Sequence, residues 1–413
     1  MNTTYTQKKF NLLYYITISL LNSDVKRGVF IVYLLGAGLT NTQIGFIQTA
    51  LFVAMMLGEL PSGIIADKFG RKVALIYSFI LMILYGIGFL LFTDFIPFFF
   101  MFILHGLAFS LKSGADQALL YDYLKETGKQ HLFIKINSRS RAISALTVAG
   151  SMALGGWIKD VSSWNVLFSI YIISKIVGVL VCALLTERRF INVSNDHSGE
   201  NIEDSSGKTT LVSFFTSPKG MSLLPLFIGF SLYEAVLTPT YNYGQSLLSN
   251  AGFSLSLIGL TYAAIEIANS GLYLLSRLVS RTLNFTALIA ITYLLLAVSL
   301  YWLPESGHLM LVAFCITFCL PSFVDMIYLD YVNEHYPSEI RASCISVNGF
   351  ISSLFIGSAY FIYGYGIEKF GIENLVTYSS SLIVIALPVT LYGLKKLKPP
   401  CVEVNSDEAF NQK

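Results

Sequence analysis

Twelve apolar runs, each long enough to cross a bilayer, constrain this chain more than any other feature. They fall near residues 10–36, 43–64, 73–93, 97–123, 141–158, 164–186, 212–247, 255–276, 284–303, 309–332, 342–366 and 375–394. About 20 apolar residues in a helix cover the hydrocarbon core. A backbone in lipid has no water to bond to, so each run must satisfy its own N–H and C=O groups as a helix. Composition agrees. Of 413 residues, 54% are hydrophobic and only 13% charged, against about 25% charged in soluble domains. Several runs exceed the bilayer's need, which predicts tilted or protruding helices.

Basic residues set the orientation, because they favour the cytoplasmic side. With the amino terminus inside, all but six of the 27 Lys and Arg fall in cytoplasmic segments. Lys159 and Lys369 fall in outer loops, and Lys26, Arg27, Lys112 and Lys175 fall within runs. Both termini are therefore expected in the cytoplasm. Lys8 and Lys9 precede an apolar stretch with no small-residue cleavage site after it, so that stretch reads as the first membrane helix and not as a signal peptide. The polar stretch 187–211 reads as a flexible cytoplasmic linker. It divides an N-terminal six-helix half, 1–186, from a C-terminal one, 212–394, with a cytoplasmic tail over 395–413.

Several chemistries are excluded. A net charge of +2 gives no case for nucleic acid. Cys182, Cys315, Cys319, Cys344 and Cys401 form no CxxC and no cluster of metal spacing. Gly207-Lys208-Thr209-Thr210 lacks the earlier glycine of a P-loop, because position 202 is Ile and no strand precedes it. An ATP-driven pump is thereby rejected. No Ser-His-Asp order or HExxH supports an enzyme.

Between the second and third runs stands Gly63-Ile-Ile-Ala-Asp67-Lys68-Phe-Gly70-Arg71-Lys72, a charged segment with two glycines that suit a tight turn. This order resembles the signature loop of major facilitator superfamily transporters. The resemblance implies two pseudo-symmetric six-helix halves that rock about a central site. An internal offset of about 210 residues agrees: Asp67 to Arg71 maps onto Arg277 to Arg281, with Gly271 kept and the acid lost. The segments Ser113 to Asp122 and Asn333 to Ser343 resemble the bacterial drug-efflux branch. Two departures weaken that branch but not the fold: Phe102-Ile-Leu-His105-Gly106 carries no arginine, and Gly150-Ser-Met-Ala-Leu-Gly155-Gly156 carries no proline. The resemblance also implies that Asp122, at the base of the fourth helix, pairs with Arg71 for gating. Gly63, Asp67, Gly70 and Lys72 complete that group, and Arg277, Arg281 and Arg341, with Asp330 and Glu334, form its counterpart in the second half.

An ionisable group in a span is costly unless it faces water or a partner, so each is a functional candidate. These are Asp24, Lys112, Asp116, Glu234, Glu266 and Asp325, with Glu59 and His105 behind them. The offset places Asp24 opposite Glu234 and Asp116 opposite Asp325, on helices that line the central cavity in the resembled family. Structural alternatives are plain ion pairs, Lys112 with Asp116 and Asp24 with Arg27. Tyr233 and Tyr241 flank Glu234 and suit amphipathic cargo, and Pro239 invites a break in the seventh helix.

The expected protein is thus an all-α monomeric secondary transporter of a bacterial inner membrane, without a cofactor. It would export a small amphipathic compound, such as a drug, a toxic metabolite or a self-made peptide-like antibiotic, in exchange for protons. Alternatives are a nutrient importer for a sugar, nucleoside or peptide, and a non-transporting receptor. Sugar carriers favour more cavity Trp than the 3 present here.

Overall fold

The computed structural model describes residues 3–187, 211–282, 284–337 and 340–397. Most of the expected linker and nearly all of the expected tail lie outside the described residues. The N-terminal half contains α1 (Thr3–Asn22), α2 (Phe30–Gly36), α3 (Asn41–Phe69), α4 (Arg71–Leu91), α5 (Phe95–Lys112), α6 (Ala115–Glu126), α7 (Phe133–Val161) and α8 (Trp164–Ala183). The C-terminal half contains α9 (Leu211–Thr216), α10 (Pro218–Asn250), α11 (Leu255–Thr282), α12 (Phe285–Trp302), α13 (Met310–Cys319), α14 (Ser322–His335), α15 (Arg341–Phe370) and α16 (Ile372–Lys396).

Among the described residues, 9 helical stretches are long and apolar enough to cross a membrane, counting α5 and α6 together. The bent helix α3 is a further one. It turns by 48° at Pro61, whose missing N–H removes a rung of the helical ladder. The expected first and tenth runs are each divided, α1 from α2 and α13 from α14. The causes are local. Ser23 to Val29 carries three charged residues, and Pro321 stands where α13 would continue into α14. The fourth run is interrupted at Gly114, whose φ of +77° few side chains tolerate. Pro239 does not break α10, which runs unbroken through both Pro225 and Pro239.

The signature segment is mostly helix. Gly63 to Phe69 forms the last turns of α3, and Gly70 alone joins it to α4. Of the two glycines expected to turn the chain, only Gly70 does so, at φ +103°. Gly63 is helical, and an added Cβ there would meet nothing. Arg277 and Arg281 likewise fall on α11 rather than between helices.

The halves meet where α3 packs along α15 and α7 along α11. Close backbone approaches between them lie at the end of the bundle opposite Gly70, here termed the far end. A Cβ on Gly45 would strike the carbonyl of Tyr360, and one on Gly364 that of Asn41. On the other seam, Gly156 lies against the Leu255 carbonyl, and a Cβ on Gly259 would come 2.5 Å from that of Met152. Absent side chains let the helix backbones touch. Side chains then bridge the seams. Thr42 donates to Glu368 at 2.6 Å, Ser256 to Asp160 at 2.5 Å, and Tyr243 to the Asn41 carbonyl at 2.9 Å.

Gly364→Val should therefore force α15 away from α3, at an overpacking cost of about 1–3 kcal/mol. The check is thiol labelling of an Asn41→Cys reporter in an otherwise cysteine-free chain. Faster labelling with Gly364→Val is expected, and unchanged labelling would remove the seam's role.

Candidate functional site

The site grows from the interruption between α1 and α2. There Ser23 to Val29 leaves the helix inside the bundle, so its backbone groups need partners from elsewhere. Lys175 on α8, only 1% exposed, supplies them. Its ammonium donates to the carbonyls of Leu20 at 2.6 Å, Leu21 at 3.4 Å and, closely, Ser23. From α7 the Ser151 hydroxyl accepts the Asp24 N–H at 3.2 Å. From the opposite half comes Gln245 on α10. Its Oε1 accepts the Ile31 N–H at 2.8 Å, and its Nε2 donates to the Arg27 carbonyl at 2.8 Å.

Lys26 is buried too. Its ammonium lies 2.5 Å from Asp24 and faces the rings of Phe30, Tyr85 and Tyr171 at 4.6–4.8 Å. Cation–π contact stabilises such a desolvated charge. Asp24 thus pairs with Lys26, not with Arg27 as the i,i+3 alternative required. Arg27 turns instead toward the other half, where its guanidinium is 3.9 Å from Glu266 on α11.

Around this interruption lies a cavity of about 320 Å³ shared by both halves. Asp24, Lys26, Arg27, His105, Lys112 and Lys175 give it charge and polarity. Thr238, Tyr241, Asn242 and Gln245 line it from α10, at the i, i+3, i+4, i+7 spacing of one helix face. A second cavity of about 430 Å³ adjoins it, lined by Asp116, Asn137, Arg141 and Glu266 among others. Asn22, Arg27 and Lys112 line both. The Lys112 ammonium donates to Asn22 Oδ1 at 2.5 Å. It does not form the alternative plain pair with Asp116, because the break at Gly114 takes the two residues off a common helix.

The structure divides the predicted acids. Asp24 lines the first cavity and Asp116 and Glu266 the second, where Tyr241 donates toward Glu266 at 3.5 Å. Glu234 does not line either, although the offset matched it with Asp24. It lies one turn before Thr238 on the same face of the unbroken α10, and there the Ser352 hydroxyl bonds it. Asp325 is its electrostatic neighbour. Asp116 and Asp325 do occupy matching places, each in the first turn after an interruption, where the helix dipole favours an acid. They face different surroundings all the same. Tyr233 stacks on Tyr293 at 4.5 Å, as packing would have it. Glu59 is exposed and lines neither cavity.

At the loop end, Arg71 stands between two acids. Its Nε is 3.1 Å from Asp122 and its guanidinium 3.4 Å from Asp67. A third acid, Glu187, caps α4: its carboxylate accepts the N–H groups of Arg71 at 2.6 Å and Lys72 at 3.2 Å. A Cβ on Gly70 would come within 2.7 Å of that carboxylate. Lys72 donates to the carbonyls of Ala183 at 2.7 Å and Leu185 at 2.9 Å, which end α8. Arg341 is exposed at the start of α15, and the side chains of Arg277, Arg281 and Asp330 lie outside the described residues. Sequence reasoning missed Lys175, Gln245 and Glu187. A lysine inside an apolar run was a visible signal for the first, but its backbone partners, some 150 residues away, were not.

Comparison with known proteins gives a consistent picture. A sequence model described as Major Facilitator Superfamily matches residues 12–391. A Bacillus subtilis (strain 168) protein described as an uncharacterized MFS-type transporter, YxaM, is 23% identical over 389 residues. That match covers 92% of this chain and 94% of the relative. The solved structure of nucleoside transporter NupG superposes with a TM-score of 0.75 at 14% identity, covering 96% of this chain and 100% of that one. A D-xylose-proton symporter gives 0.75 at 14% identity, covering 95% and 98%.

Lys175→Met keeps the apolar stem and removes the donors. Each buried carbonyl left unpaired should cost about 1–3 kcal/mol. A melting temperature well below wild type in detergent is expected, and wild-type stability would show that Lys175 does not hold the interruption.

Proposed function

The chain belongs to the major facilitator superfamily, and from that premise we propose a proton-coupled secondary transporter for a small amphipathic organic solute. The observation that carries this reading is the aromatic and charged cavity built by both halves around an interrupted helix. Such interruptions accompany substrate sites in secondary transporters. Rocking of the halves would open this cavity to each side in turn. The loop end, both termini and the segment 187–211 face the cytoplasm of a bacterial-type inner membrane, as the basic residues favour, and the chain acts as a monomer.

Net movement is export in this reading. The likeness of Ser113 to Asp122 and Asn333 to Ser343 to the drug-efflux branch supports it. Uptake is the second reading, favoured by the similarity to a nucleoside transporter and a D-xylose-proton symporter. Reconstituted vesicles under an imposed pH gradient separate the two. Solute accumulation in inside-out vesicles with the inside acid supports export, accumulation in right-side-out vesicles with the outside acid supports uptake, and no solute-dependent proton flux in either refutes proton coupling.

Arg71, held between Asp67 and Asp122, serves in this reading as a latch that favours one face of the cycle. Asp122→Asn should slow turnover at least tenfold while solute binding stays within about twofold. Wild-type turnover in that variant would discard the latch.

Glu234 and Asp325 carry the proton, away from the cargo cavity. A carboxyl whose surroundings change as the halves rock can bind a proton on one side and release it on the other. Glu234→Gln should abolish gradient-driven accumulation yet keep solute exchange at zero gradient. Uphill transport by that variant would move coupling to Asp116 or Glu266.

A further inference from the structure

The charges around the central cavity are unbalanced. Four cations, Lys26, Arg27, Lys112 and Lys175, share its lining with one acid, Asp24. Two of the four are already committed. Lys26 is 2% exposed against Asp24 and three aromatic rings, and Lys175 is held by backbone carbonyls. The other two are not. Lys112 bonds a neutral acceptor, the Asn22 amide oxygen, and lies over the Phe109 ring, with Asp116 of the second cavity as an electrostatic neighbour but no direct ion pair. Arg27 reaches its one described ionic partner, Glu266, only at 3.9 Å, and 47% of its side chain is open. Since Arg27 lines both cavities, that open surface faces the space between the halves.

A second observation also points to a ligand. His105, 7% exposed, lines the same cavity with its ring stacked on Tyr85 at 4.1 Å. Its buried Nδ1 has no hydrogen-bond partner among the described residues. A buried polar atom without a partner is costly, and a group entering the cavity can supply the missing bond. Phe52, Phe102, Phe109 and Tyr360 add aromatic wall.

Resting on the transporter reading, we propose that the cargo is an organic carboxylate with an aromatic body. Its carboxylate sits between Arg27 and Lys112, where the two cavities meet, and its polar substituents reach His105. A guanidinium fork matches a carboxylate with two parallel hydrogen bonds. Arg27 then exchanges Glu266 for the cargo, while Glu266 keeps the Tyr241 hydroxyl. Because Arg27 and Glu266 belong to different halves, loading removes one tie across the interface. Asp24 is neutralised by Lys26, so the unmatched charge in the lining of this cavity is positive.

The test uses three probes of one shape and different charge: indole-3-acetate, indole-3-acetamide and tryptamine. Each is titrated against the purified full chain in detergent, with binding read by calorimetry and thermal stabilisation. Indole-3-acetate should bind at least tenfold tighter than the amide or the amine. Arg27→Gln should weaken it at least tenfold, Arg27→Lys should restore part of the loss, and Glu266→Gln should tighten it severalfold by removing the competing carboxylate. Melting of each variant without probe reports folding, and Lys112→Gln gives an independent reading should Arg27→Gln unfold. Preference for tryptamine, equal binding of all three, or no binding of indole-3-acetate at millimolar concentration overturns the proposal. Counterflow of the same probes in proteoliposomes tests transport separately. Anion binding that needs Arg27, without counterflow, defeats the transporter reading and leaves the anion site standing.

Discussion

The ammonium of Lys175 is the contact on which the interior depends. A polypeptide that leaves the helix within a bilayer exposes carbonyls with no water to bond. Lys175 collects those of Leu20, Leu21 and Ser23 on one cation. With them satisfied, the segment Asp24 to Val29 can place charged side chains inside the bundle, where a continuous helix would need apolar ones. Lys26, Arg27 and the cavity between the halves all follow from that one interruption. Gln245 then fastens the same segment to the second half with two amide hydrogen bonds.

Much of this was legible in the residues, and the failures share a cause. Helix periodicity and span length are local properties, so the all-helical bundle could be read directly. The loop network around Arg71 was also readable, because Asp67 lies four residues away and Asp122 follows from the resemblance. Pairings inferred from spacing alone failed where the helix stopped. Asp24 with Arg27 and Lys112 with Asp116 both presuppose an unbroken turn, and interruptions fall beside both. The internal offset matched Glu234 with Asp24, but it could not show that α10 stays intact where its counterpart divides. Partners remote in sequence, such as Lys175 with Ser23, leave no spacing to read.

The layout separates two kinds of acid chemistry. Asp24 and Glu266 stand beside cations in the shared space, so their charges are already answered. Glu234 and Asp325 are electrostatic neighbours of each other and of Tyr293, inside one half. In the proposed reading, a solute bound between the halves and a proton bound within one of them would influence each other through how the halves sit together. Such an arrangement couples two ligands through a shared equilibrium, and the influence must be equal in both directions.

The glycine seams have a consequence for how the far end opens. Dispersion forces fade within an ångström: a gap of about 0.5–1 Å forfeits a quarter to a half of the contact energy. Long side chains could stretch or swing to keep touching as two helices part. Backbone against backbone, as at Gly45 with Tyr360 and Gly259 with Met152, has no such reach. Separation there is abrupt rather than graded. In an alternating-access cycle the far end would work as a snap fastener, giving up much of its backbone contact over a short displacement.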